Sequence, residues 1–560
     1  MTSNTCANGW CHQSFEVTDE DLVFFSKVSP VFGGKKYAVP PPTLCPNCRQ
    51  QKRLAWRNER SLHKRACDLT GKSIVSLYST DAAFTVYAQD VWWGDSWDAL
   101  SFGRDIDLNR PFFEQFAELM KIVPHMGMFI SHGENSDYCP YSTDYKDSYM
   151  CISGRKGENI YYSFMLNDSR DCMDCYACPQ SELCYECVNC VHVYNTIHCI
   201  ECKNSNDLAF CMNCESCQNC IGCYGLRQQK FHVFNKSVSE EEYHRLNLEL
   251  RISSSALQEF KKKALAFFLG FPRRNAQMIN TEHSSGDYLV NCSNAYCCFL
   301  SEDLQDCAYV WNTPHSKDCA DINYSSKTQL IYNAMSNVNS YACIGCMGSW
   351  DMKNSLYCFQ SFYSSDLFGC IGLKHKKYCI LNKEYTKEDY ETLVPKIIDM
   401  MQKNGEWGEF FPLQLSPFAY NESIAHEFFP LSKVQAEELG LSWEEHVESV
   451  SGTTKTIPAD RLPDSIRDIP DDIVNWGIQC ETTGRIFRIV AQELRFYRER
   501  NVPVPHLHPH ERHRKRLRFI NPRKLWDREC AKCQKPISTS YAPERREIVY
   551  CERCYLETVY

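Results

Sequence analysis

No run of about 18 apolar residues, the minimum for a membrane-spanning helix, occurs in the chain. Absent too are the P-loop, the G-x-G-x-x-G dinucleotide fingerprint, the H-E-x-x-H zinc-protease motif and the G-x-S-x-G nucleophile elbow. Their absence removes the commonest nucleotide-dependent and hydrolytic enzymes, and no small-molecule substrate is indicated. The opening MTSNTCANGWCHQSFEV has neither the basic nor the apolar region of a secretory signal, so the expected location is cytoplasmic. A net charge of −9 excludes a uniformly basic nucleic-acid coat and leaves room only for local basic patches. With 43% hydrophobic and 13% aromatic residues the chain is not disordered, and 560 residues predict two to four domains.

Cysteine, by contrast, is abundant, at 35 residues. In a reducing compartment thiols serve metals or cores more often than disulfides. At the N-terminus stand Cys6, Cys11, Cys45 and Cys48, and at the C-terminus Cys530, Cys533, Cys551 and Cys554. Two short-spaced pairs each place two thiolates on one turn, and two such turns close a tetrahedral zinc site. Two structural Zn2+ sites are therefore expected, closed by four protein ligands and unable to activate water.

The two ends also align with each other. LCPNCRQQKRLAWRNERSLHKRACDLTGKSI from Leu44 matches LHPHERHRKRLRFINPRKLWDRECAKCQKPI from Leu507 without a gap. Each end reads as a tandem of two ribbons. The first ribbon keeps its ligands in the N-terminal copy and the second keeps them in the C-terminal copy. In the N-terminal copy the ligand-free ribbon is expected to be held by the aromatic-rich FTVYAQDVWWGDSW. In the C-terminal copy the ligand-poor set Cys480, His508 and Glu511 is a weaker candidate for metal. Between the ribbons of each copy lies a basic segment, Arg49, Lys52, Arg53, Arg57 and Arg60 in one and Arg512, Lys515, Arg516 and Arg523 in the other. These residues are candidates for phosphate contacts to nucleic acid, against the alternatives of another macromolecular partner or pairing with the chain's own carboxylates.

The middle obeys a twelve-residue ruler: Asn135, Asp147, Asn159, Asp171, Leu183, Asn195, Asp207 and Asn219, resuming at Asn294, Asp306, Asp318, Leu330, Ala342, Asn354 and Asp366. Four residues after each position in the first block comes a mostly cysteine column, where the second block carries Val310, Ile322 and Ala334. Valine cannot replace a metal ligand, so the column reads as an inward thiol ladder of a β-solenoid. The C-x2-C pairs Cys175/Cys178, Cys187/Cys190, Cys199/Cys202 and Cys211/Cys214 keep zinc, an iron–sulfur cluster or disulfides open as alternatives.

The expected fold is mainly β, with zinc-ribbon tandems at both termini flanking two 12-residue-repeat β-solenoid blocks and a few helices. The expected divisions are 1–98 and 475–560 for the ribbon tandems and 135–238 and 286–386 for the blocks. A helical connector is expected at 99–134, a helical insert at 239–285, a helical region at 387–448 and a linker at 449–474.

FEVTDEDLVFFSKV, CPNCRQQKRLAWRNE, WWGDSWDALSFGRDIDLNRPFFEQF, the G-L-x3-K-x4-N-K block ends and the closing ECAKCQK…YCERCY resemble a family of zinc-ribbon, Cys-repeat proteins of ultra-small candidate-phylum bacteria. That resemblance spans nearly the whole chain and implies a cytosolic bacterial protein without pointing to an activity. The functional expectation is a non-catalytic zinc-binding protein that binds a macromolecule, nucleic acid before protein, with a solenoid enzyme as the more remote alternative.

Overall fold

The computed structural model describes residues 2–445 and 453–559. Strand accounts for 31% and helix for 25% of the chain, so β structure leads but helices contribute more than the few expected. Each terminus is built from two hairpin–helix units. At the N-terminus the hairpin Thr2–Thr5/Ser14–Val17 meets the helix Pro46–Ala55, and the hairpin His63–Ala66/Ser73–Ser76 meets the short helix Gln89–Trp93. At the C-terminus Trp476–Gln479/Ile486–Phe487 meets the helix Pro509–Leu517, and Trp526–Glu529/Pro536–Thr539 meets Glu552–Val559.

Between these units the backbone stacks on itself. In the first stack, Thr143 pairs with Arg155, Arg155 with Asn167, Val191 with Lys203 and Gln218 with Lys230, each in parallel and twelve residues apart. The second stack pairs the same way from Gly286↔Cys298 to Ser365↔Lys377, after opening turns of eleven such as Met278↔Leu289. Antiparallel strands Lys236–Ser237 and Lys383–Glu384 finish the two stacks alike. Beneath each, a side-chain clamp recurs: Asn235 and Asn382 accept from the amides of Tyr224 and Ile371 at 2.9 and 2.8 Å.

Inside each turn lies a finer period of three. One residue in three is left-handed, as at Asp171, Asp174, Ala177, Gln180 and Leu183, with φ between 50 and 57°. Asn, Asp and His tolerate that conformation better than other non-glycine residues, which explains why the ruler positions are mostly Asx. The residue that follows each left-handed position points inward. Cys172, Cys175, Cys178 and Ser181 thus line one turn, and Cys184, Cys187, Cys190 and Val193 the next, all buried. Four inward side chains per turn leave a narrow interior, so small residues dominate. Inward serines satisfy the backbone as well: Ser163 Oγ donates to the Tyr161 carbonyl at 2.9 Å and accepts from the Cys175 amide at 3.0 Å. Along the ruler the amide of Asn135 donates to Asp147 and that of Asn159 to Asp171, both at 2.9 Å, so alternating Asn and Asp stitch consecutive turns.

The termini dock crosswise. The N-terminal helices Asp19–Val28 and Pro46–Ala55 pack on the second stack, joining Phe25, Val28 and Leu54 to its outward row Ala320, Tyr332, Ile344, Leu356 and Phe368. The C-terminal helix Ala491–Arg500 packs on the first stack, joining Phe496 and Tyr497 to Tyr161, Met173, Tyr185 and Ile197. Of the expected linker 449–474, the first residues lie outside the described ones. From Lys455 it forms a strand on Trp476–Gln479 and buries Ala459, Leu462, Ile466, Ile469 and Ile473, because its spaced apolar residues fit the C-terminal core.

Candidate metal centres and the buried arginines

Cys6 and Cys11 leave the tip of the first hairpin, while Cys45 caps the helix that carries Cys48. One ligand atom from each lies within 4.8 Å of the others, and the same holds for Cys530, Cys533, Cys551 and Cys554. The two centres match in detail. The Cys45 amide donates to Cys6 Sγ and the Cys551 amide to Cys530 Sγ, each at 3.2 Å. The sulfur separations Cys11–Cys45 and Cys533–Cys551 are 3.7 and 3.8 Å. Hydrogen bonding by Cys48 chiefly brings the Cys45 thiol down to about 5. Burial pushes the Cys530 thiol up, but backbone N–H groups of Cys533, Cys551 and Lys532 outweigh it and bring it to about 6. Thiolates are the metal-binding form, and each group can hold one metal ion with no open position.

The ligand-poor ribbons keep the same turn. The Ala88 amide donates to Cys67 Sγ at 3.2 Å, and backbone and threonine donors hold Cys480 at about 7 against burial. Packing replaces the ion at the first of them, where Cys67, Leu77, Tyr78, Val86, Tyr87 and Trp92 form one cluster. The weaker candidates Cys480, His508 and Glu511 do not gather. Cys480 Sγ sits 3.5 Å from the Thr482 hydroxyl, His508 caps the helix Pro509–Leu517, and Glu511 bonds Arg514 at 3.0 Å.

The C-x2-C pairs of the centre likewise form no ligand group among the described residues. Cys175, Cys178, Cys187, Cys190, Cys199, Cys202, Cys211 and Cys214 are buried and unbridged, and among the described residues no three of them converge as ligands. Their spacing is the three-residue period of the stack, not a metal knuckle. Each thiol faces the carbonyl two residues before it, as Cys199 faces Ile197 at 3.4 Å and Cys202 faces Ile200 at 3.5 Å. Burial pushes the Cys175, Cys190, Cys199 and Cys211 thiols up, while hydrogen bonds from neighbouring thiols outweigh burial and bring Cys178, Cys187 and Cys202 down, so the column alternates in direction. A cysteine at every third position from Cys172 to Cys178 and from Cys184 to Cys190 carried this signal in the sequence.

The arginines nominated for nucleic acid are turned inward. The side chains of Arg49, Arg53, Arg57, Arg512 and Arg516 are each 6% exposed or less. Arg49 and Arg53 grip Asp321 at 2.5 and 3.4 Å, and Arg512 and Arg516 grip Asp174 at 2.5 and 2.7 Å. Asp174 and Asp321 stand 147 residues apart, the interval that separates the block endings Gly222 and Gly369. The duplication therefore preserves a ribbon-to-stack clasp in both halves. It extends to the rings beneath, with Arg49 over Tyr309 at 5.0 Å and Arg512 over Tyr162 at 4.6 Å. Arg57 bonds Glu59 at 2.7 Å, Arg60 bonds Glu427 at 2.9 Å and Lys52 pairs with Glu409 at 3.5 Å. Arg523 lies 3.0 Å over the Trp311 ring, and only Lys515 of the nine is exposed. The sequence foretold basic residues but not their targets, because Asp174 and Asp321 are distant in the chain from the residues they hold.

No family model matches the chain, and no curated protein does. Among solved structures, a candidate acetyltransferase from Desulfovibrio desulfuricans is similar at 11% identity over 40% of this chain, with a TM-score of 0.10. The likeness spans 63% of that protein, and at this score it lends no weight to any reading of fold or function. No helix among the described residues is long and apolar enough to cross a membrane.

Proposed function

We propose that this is a non-catalytic zinc protein in which two ribbon tandems clamp two β-solenoids into a scaffold for a protein partner. The matched four-thiolate centres carry the reading: four soft ligands within tetrahedral reach, amide donors to the first sulfur and no open position favour structural zinc. The twelve-residue parallel register supports reading the stacks as solenoids of twelve residues per coil. Burial of the arginine pairs moves the partner from nucleic acid to protein, since phosphates cannot reach cations enclosed by the fold. The outer surface still offers half-exposed aromatics, Tyr194, Tyr296, Tyr341 and Tyr363. Elemental analysis of the purified chain is expected to return about two zinc per chain and a colourless spectrum. Partner capture from lysate is expected to survive nuclease. Four or more metals, or capture abolished by nuclease, overturns the reading.

A further inference from the structure

The first ribbons of the two tandems correspond residue by residue. Asn4 pairs with Phe15 as Ile478 pairs with Phe487, and the Cys6 and Cys480 amides close the hairpins on Gln13 and Arg485 at 2.9 and 2.8 Å. The helices that follow match too, since EDLVFF from Glu20 aligns with QELRFY from Gln492. Asp21 and Glu493 each accept from the cap amide, of Thr18 at 2.9 Å and of Val490 at 3.4 Å. Leu22 therefore corresponds to Leu494, and Ser26 to Arg498.

What covers them differs. In the C-terminal copy Lys455–Pro458 adds a parallel strand to the outer edge of Trp476–Gln479, with Thr456 opposite Gly477. The chain then crosses the helix, burying Leu462, Ile466, Ile469 and Ile473 in one core with Leu494, which is 5% exposed. Arg498 donates to the Ile469 carbonyl at 3.1 Å and pairs with Asp471 at 2.6 Å; Arg488 donates to the Val474 carbonyl at 2.8 Å. In the N-terminal copy Thr2–Thr5 pairs only with Ser14–Val17 among the described residues, and Ser3 and Thr5 are exposed. Leu22 is 45% exposed and its neighbour Val23 56%. An unpaired strand edge beside an uncovered apolar helix face is the geometry of strand addition. Charge names the occupant. The covering segment 455–473 is acidic, three cations against five aspartates, and it lies on a ribbon made basic by Arg488 and Arg498. On the open ribbon the sign is reversed: Glu16, Asp19 and Glu20 are exposed where the covered copy has Arg488, Ala491 and Gln492. Lys36, which bonds Ser26 at 2.9 Å, stands at the other end of the helix.

Building on the protein-scaffold reading, we propose that this face of the N-terminal ribbon binds a basic peptide segment of a partner protein. The segment adds a strand along Thr2–Thr5, lays apolar side chains on Leu22 and Val23, and sets its cations against Glu16, Asp19 and Glu20. The probe is a synthetic peptide of the sequence 455–473 in which Asp460, Asp464, Asp468, Asp471 and Asp472 are each replaced by lysine; the unaltered acidic peptide is its control. Calorimetry on the full-length protein is expected to give saturable binding of the basic peptide, with slowed amide exchange at Ser3 and Thr5. The acidic peptide should bind at least about tenfold more weakly, because it sets aspartates against carboxylates. Glu16→Arg with Glu20→Gln, which copies the covered ribbon at two exposed positions, should fold and erase the preference for the basic peptide. Leu22→Asp, also on the surface, should weaken that peptide about tenfold or more. No binding of the basic peptide, equal binding of the two, or wild-type affinity in Leu22→Asp overturns the proposal. Self-association of the chain that is lost in Leu22→Asp also overturns it, by making the occupant a second copy. Failure of the peptide while nuclease-resistant capture persists removes this site alone, whereas capture abolished by nuclease removes the scaffold reading.

Discussion

Arg49, Arg53, Arg512 and Arg516 look like a nucleic-acid surface in the sequence because cations at helical spacing are usually solvated. Their partners Asp174 and Asp321 lie far along the chain, and both sit at left-handed positions that aim the carboxylate outward from a stack. Removing one member of such a buried pair leaves the other charge enclosed and unpaired, at a cost of about 3 to 5 kcal/mol. Asp321→Asn is therefore expected to destabilise the second half, and Asp174→Asn the first, by several kcal/mol in chemical denaturation. A change under about 1 kcal/mol for both would mean that the clasps contribute little.

At the level of elements, the three-residue period governs what each position accepts. An inward site such as Cys199 has its thiol facing a carbonyl and neighbouring backbone on every side. Cys199→Ser keeps size and hydrogen bonding, and is expected to cost less than about 1.5 kcal/mol. Cys199→Leu overfills a turn with four inward side chains and is expected to cost about 1 to 3 kcal/mol or more. Thermal denaturation of the two variants decides between a packing column and a ligand column. A metal ligand would lose its ion in both, whereas a packing site separates them. The half-buried or exposed left-handed positions follow another rule, conformational rather than steric, which is why Asn and Asp recur there and β-branched residues do not.

Across the whole molecule, the crossed docking couples the N-terminal metal centre, through the helix Pro46–Ala55, to the stack farther from it in sequence. The ribbon of the C-terminal centre instead pairs Val549–Tyr550 with Arg273–Arg274 and bonds Asp287, at the start of the second stack, through Ser540. Cys48→Ser, which breaks the N-terminal centre, is expected to raise amide exchange in the second stack, along Ala320, Tyr332 and Ile344, and to spare the first stack that follows it in the chain. Chelation should reproduce the pattern at the N-terminus and, by opening the C-terminal centre as well, raise exchange at Arg273–Arg274, where Val549–Tyr550 pairs. Exchange that rises first around Met173 and Tyr185 in Cys48→Ser would contradict the coupling.

Much of this was legible beforehand. The terminal ligand sets, the duplication of the ends and the twelve-residue interval follow from spacing alone, because closing a metal turn or stacking a strand on its neighbour demands a fixed number of residues. Spacing, however, does not distinguish a thiol that binds metal from one that fills a turn; C-x2-C serves both. Nor does it say what a charged side chain faces. Only the tertiary structure set Asp174 beneath Arg512, turned the central cysteines inward, and left Leu22 exposed where its counterpart Leu494 is covered. Those outcomes depend on which distant surfaces meet, and burial there converts a nominal surface cation into a buried contact between the two halves of the fold.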